Sequence, residues 1–209
     1  MFSLQKLFGK EDRFQELLEA AAKESHESVR LVIELMKSPR NSQTYDDLIL
    51  TRRKEKKISE QISSELVQTF ITGLEREDIE ALARGLYRIA KASEKLAERL
   101  VMAGKHIDGL DFTMQAEMMA KATDAVHGMV QQLRDMKDLE KIKNFNDRLQ
   151  LVELEADKYM NELLREIYSG KHEPLRAMII RDINELMEKV IDRCHDTGVV
   201  VMHVVLKNS

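Results

Sequence analysis

Helix breakers are almost absent from this chain. Eight glycines and two prolines are spread over 209 residues, and one of the prolines, Pro39, stands inside a Ser-Pro-Arg-Asn-Ser break. Proline removes a backbone donor and glycine loosens a helix interior, so a sequence nearly free of both permits long uninterrupted helices. Aromatics make up 5% of the residues and Trp is absent, whereas Leu, Met, Ala, Glu, Lys and Arg dominate, against a strand-rich fold. The 43% hydrophobic content supports a packed core and argues against disorder.

Apolar residues recur at helical spacing in six segments. The first helix is expected over about 11–38, with Phe14, Leu17, Leu18, Ala21, Val29, Val32 and Met36 inward. A second starts near Thr44, carries Leu48, Ile58, Ile62, Leu66 and Phe70, and is expected to stop at Thr72-Gly73. The third spans about 76–103, with Glu77 and Asp78 suiting its positive N-terminal end. A central break at Gly104–Gly109 precedes helices of about 112–137, 140–169 and 175–206. Short connections make neighbours antiparallel. The reading is all-α: two tandem antiparallel three-helix bundles, 1–105 and 106–209, standing apart or fused into one domain. The second half echoes the layout of the first, an internal repeat near 100 residues.

Charge is nearly balanced, 33 basic against 37 acidic residues, without the basic surplus of a duplex-DNA binder. The halves differ, however: 19 basic and 18 acidic residues up to Lys105, then 14 and 19. A cation site is therefore expected in the second half. The N-terminal stretch is too short and polar for a secretory signal, and no run is long and apolar enough to span a membrane, so the expected compartment is cytoplasmic. Met1–Phe8 is read as packing on the protein's own core. The basic run from Arg52 to Lys57 is read as a solvated helix face with a capacity for anions.

Nucleophilic and nucleotide chemistry find no motif. There is no Gly-x-Ser-x-Gly turn and no phosphate-cradling glycine loop, and Cys194, the only cysteine, falls on the apolar stripe of its helix. The six histidines lack zinc-site spacing and are assigned to the surface or core edge. One pattern remains. Glu153/Asp157 and Glu188/Asp192 are carboxylate pairs spaced i, i+4, which stacks two oxygen donors on one helix face. Two such helices side by side offer four hard donors to a divalent or ferric ion. Projection places Glu153 and Asp157 beside their apolar stripe and Glu188 and Asp192 well outside theirs, so the site is expected on the bundle surface.

Three stretches carry a resemblance. Leu66–Ile79 is similar to the "tFiTPxdREDI" junction of the PhoU-like family, in the short branch associated with Pit-type phosphate transporters. Leu154-Glu155-Ala156-Asp157 resembles that branch's "EaD" segment, and Leu186–Asp196 its "LEeaiDrcEDva" segment. The resemblance covers essentially the whole chain. It implies two three-helix bundles with surface metal sites held by Glu/Asp-x-x-x-Asp motifs, and a non-enzymatic regulator or accessory protein of inorganic phosphate transport. It implies docking to a Pit-type transporter or another membrane transport or sensor protein, with membrane association only through that partner, and leaves homo-oligomerisation open. Glu153, Asp157, Glu188 and Asp192 match the motif in the second bundle. The corresponding first-bundle positions are Arg52, Lys56, Tyr87 and Lys91, and guanidinium and ammonium groups have no lone pair to give a metal. Gly73 also replaces the junction's proline. Two other readings stay open: a carboxylate-bridged metal enzyme, which would ordinarily need Glu-x-x-His ligands in a bundle core, and a helical scaffold unrelated to phosphate.

Overall fold

The computed structural model describes residues 4–134 and 138–208, with side chains from Arg13 onward. Six long helices make up the fold: α1 (Leu4–Lys37), α2 (Ser42–Gln68), α3 (Arg76–Ala103), α4 (Thr113–Gln132), α5 (Leu139–Tyr168) and α6 (Pro174–Lys207). No strand occurs among the described residues. The breaks follow local chemistry. The Asn41 side chain accepts from the Thr44 amide to start α2, Asp138 caps α5 through Lys141, and Glu173 caps α6 beside Pro174. A single 3₁₀ turn, Gly104–Ile107, forms the central break between two residues of positive φ, Gly104 (50°) and Gly109 (76°).

Helices α1, α2 and α3 pack on one another, as do α4, α5 and α6. The triplets are joined by α1 on α4 and α3 on α6, which pairs equivalent members of the repeat. Buried apolar side chains of both triplets form one continuous cluster. Three close crossings involve glycine, one of them Gly198 of α6 against Leu149 of α5. A Cβ on Gly85 of α3 would come within 2.7 Å of the Thr197 hydroxyl of α6, and one on Gly128 of α4 within 2.6 Å of the Phe145 ring of α5. A buried polar triad locks the second triplet: Gln115 of α4 donates to Tyr159 of α5 (2.5 Å) and to Asn184 of α6 (2.7 Å).

Three boundaries differ from the sequence reading. α4 stops at Gln132 instead of near residue 137. α1 begins at Leu4 instead of near residue 11, and the expected packing of Met1–Phe8 falls outside the described side chains. α2 stops at Gln68, four residues early, and Phe70 lies beyond it, 99% exposed instead of buried. The cause is Arg76, whose guanidinium donates to the carbonyls of Leu66 and Thr69 and so takes over the end of the helix. Thr69 then turns to extended backbone (φ −110°, ψ 122°).

Candidate functional site between α5 and α6

Glu153 and Asp157 of α5 and Glu188 and Asp192 of α6 border the seam between the two helices. Asp157, Glu188 and Asp192 line a groove of about 460 Å³ there, with Asn161, Glu185, Lys189 and Arg193. The four carboxylates feel one another. Glu188 is held above the usual carboxylate range by burial and then by Asp192, Asp157, Glu185 and Glu153. Asp192 is raised by burial, Asp157, Asp196 and Glu153, with Arg193 opposing. Arg193 itself is committed to Asp196 at 2.7 Å. None of the four is matched by a salt bridge among the described residues.

The projection is corrected in one respect: Glu188 and Asp192 are half-buried. α6 packs on three helices, α3, α4 and α5, so more of its circumference is covered than its apolar stripe implies. Among the described residues, no three His, Cys, Asp or Glu side chains converge on one point as a bound metal ion requires. The donor set nevertheless suits a hard cation. Four carboxylates border one seam, Glu188 and Asp192 hold protons more tightly than usual, and a positive charge placed between them would relieve that repulsion.

The corresponding place in the first triplet, between α2 and α3, is built differently. The Arg52 guanidinium lies over the Tyr87 ring, 4.0 Å from its centroid, and donates to Glu55 at 2.9 Å. Its Nε sits 3.5 Å from a Glu94 carboxylate oxygen on α3. Arg52 and Glu55 are buried, at 6% and 0% exposure, so the expectation that this run is a solvated face fails at these two positions. Burial, opposed by Arg52, pushes Glu55 up to about 7. Arg52 Nε and Glu55 Oε1 have no hydrogen-bond partner. Lys56 and Lys91 remain exposed, Lys56 beside Glu60 (3.7 Å) and Lys91 5.9 Å from the Tyr87 centroid. Arg53, Lys54 and Lys57 are exposed on a groove of about 680 Å³ between α1 and α2, floored by Leu31 and Leu50.

Cys194 is fully buried, and burial pushes its thiol well above the usual range, as core packing requires. One histidine cluster escaped the sequence. His26 of α1 meets Asp124 of α4 at 2.6 Å and its ring lies 5.2 Å from that of His127. Those residues are about a hundred positions apart, and only the Asp124-x-x-His127 spacing was visible locally.

The helices define an all-α protein of two packed three-helix bundles, with the acidic seam on the second. No protein-family model matches the chain, and no curated relative does. Solved structures do. A PhoU-like protein from Shewanella oneidensis MR-1 is 14% identical, with a TM-score of 0.77 over 92% of this chain and 99% of that one. A PhoU-like phosphate regulatory protein from the same organism gives a TM-score of 0.71 at 14% identity, covering 93% and 99%. PhoU from Pseudomonas aeruginosa gives 0.64 at 15% identity, covering 99% and 98%. The chain therefore has the PhoU-like fold over nearly its full length.

Proposed function

We propose that this protein is a non-enzymatic cytoplasmic regulator or accessory protein of inorganic phosphate transport that works by docking to a membrane transporter, of the Pit type that its sequence motifs resemble. The observation that carries this reading is the end-to-end fold match to a structure described as a PhoU-like phosphate regulatory protein. The topology agrees: no helix is long and apolar enough to cross a membrane among the described residues, so contact with a transporter would be peripheral.

Within this reading, Glu153, Asp157, Glu188 and Asp192 hold a divalent or ferric ion across the α5–α6 seam. Such an ion would supply positive charge, not turnover chemistry, and the four carboxylates holding it would change the charge of the face offered to a partner. The test is phosphate uptake in cells lacking the gene and in cells carrying it back, together with co-purification of the transporter. Altered uptake restored by the gene, with the transporter retained, supports the proposal. Unaltered uptake, or hydrolysis of a phosphoester by the purified protein at a catalytic rate, overturns it.

A further inference from the structure

The two outer helices carry complementary faces. Among the described residues α2 packs only on α1 and α3, and α5 only on α4 and α6, so they stand on opposite sides of the molecule. On the first side, the groove of about 680 Å³ between α1 and α2 carries buried Leu31 and exposed Leu50 (53%). Much of its charge is paired internally, Arg30 with Glu27 (2.7 Å) and Glu34 (3.1 Å), and Lys56 with Glu60 (3.7 Å). The remainder is basic. Arg53, Lys54 and Lys57 form no salt bridge among the described residues, and Asp47, which accepts from Gln43, is the one unpaired acid against them. Lys54 also acts on Glu27, but behind Arg30 and His26.

The opposite side is a ridge. Leu151 and Leu154 of α5 are 60% and 61% exposed, and they share one helix face with exposed Asp147 and Glu155. Segment 147–157 holds Asp147, Glu153, Glu155 and Asp157 against Arg148, and none of the five is in a salt bridge among the described residues. Groove and ridge also match in register. α2 and α5 are equivalent members of the repeat, with Arg52 answering to Glu153 and Lys56 to Asp157. In that register Asp47 answers to Arg148, Leu50 to Leu151 and Lys54 to Glu155. Laid parallel, α5 of one copy along α2 of another sets opposite charges together on both sides of a leucine pair. Within one chain they cannot meet, because α1, α3, α4 and α6 lie between them. A helix ridge with apolar anchors, seated in a groove of opposite unpaired charge, is helix-in-groove recognition.

We infer that the acidic ridge of α5 docks into the basic groove between α1 and α2 of a second copy, so that copies join head to tail. Two different faces do not close on each other as a symmetric pair, so the assembly grows into chains or rings as concentration rises. Groove and ridge are smaller than the roughly 20–30 residues a side of a stable interface, so the association is reversible. It is independent of the proposed function, and its failure leaves the transporter reading untouched. The test is sedimentation of the purified full-length protein over rising concentration in low salt, beside two variants. One reverses the groove (Arg53→Glu, Lys54→Glu, Lys57→Glu) and the other breaks the ridge (Leu151→Ser, Leu154→Ser, Glu155→Lys). The parent should exceed the mass of one chain increasingly with concentration and fall back towards it on added salt. Each variant alone should associate more weakly by about tenfold or more, at an unchanged melting temperature. Mixed, the two should form a one-to-one pair and stop there, because the mixture offers one intact ridge to one intact groove. A parent that stays a single chain at every concentration overturns the inference, as does either variant associating like the parent. Mixed variants that stay apart overturn it too, by making any association of the parent a contact between like faces.

Discussion

At the same place in each triplet, the two halves handle charge in opposite ways. Between α2 and α3, Arg52 crosses the seam inside the protein, stacked on Tyr87, bonded to buried Glu55 and beside Glu94. Between α5 and α6, four carboxylates border the seam without a salt bridge among the described residues, and Arg193 only partly opposes their repulsion. The first seam is closed by its own cation; the second carries an excess of negative charge, the place where the proposed metal ion would act. One helical scaffold can thus carry a buried ion pair or a cluster of like charges at related positions, and the difference is set by a handful of residues.

The comparison breaks most sharply at Arg52. Replacing it with Ala leaves Glu55 buried without its partner, which should destabilise the protein by about 3–5 kcal/mol in urea unfolding. Exchanging the pair together, Arg52→Met with Glu55→Leu, should cost far less because no lone charge is left behind. If Arg52→Ala costs no more than a surface substitution, the seam is not held by this pair.

Acidity provides the next test. Glu55, raised from 4.5 to about 7 in the folded protein, binds its proton more tightly when folded. Its contribution to stability is therefore full below about pH 4.5 and is lost as pH rises through about 7, a loss on the order of 1–3 kcal/mol. Glu188 and Asp192 are raised too and work in the same direction. Melting curves should fall from about pH 5 to about pH 8, and Glu55→Gln should remove most of that fall. A slope unchanged in the variant would place the titration elsewhere.

Replacing Glu153, Asp157, Glu188 and Asp192 with Ala should sharpen the contrast from the other side. Relief of like-charge repulsion should leave stability without metal level or higher by some tenths of a kcal/mol. Added manganese should raise the melting temperature of the parent and not of the variant. An equal rise in both would move the cation away from the seam.

The fold was legible because its signals are local. Breaker scarcity, the apolar stripes and the Gly104–Gly109 break need no tertiary information, and the start of α3 was read at the right residue. The end of α2 was not, because it is set by Arg76 reaching back ten residues. The candidate carboxylates were found by i, i+4 spacing, yet their half-burial on α6 depends on three helices packed around it. Arg52 misled for a similar reason: inside a run of charges, nothing local distinguishes the one guanidinium that meets an aromatic ring on the next helix. His26 and Asp124 meet only because α1 packs on α4.

The smallest effect on folding is expected from the cations that do face solvent. Reversing Arg53, Lys54 and Lys57 to Glu spares Arg52 and its buried partners. None of the three has an ion-pair partner among the described residues, so stability should change by about ±0.5 kcal/mol. Their groove, with Leu31 and Leu50 on its floor, would nevertheless pass from basic to acidic. Should an acidic partner surface use it, association would weaken steeply while the melting curve held still, and the loss would shrink as added salt screened the charges. Phosphate uptake and transporter retention in cells carrying this variant, measured beside the parent, test whether the groove takes part in docking. Unchanged uptake and retention leave the basic groove, towards the transporter, as the solvated helix face its exposure describes; a defect in either at an unchanged melting curve makes it a docking surface.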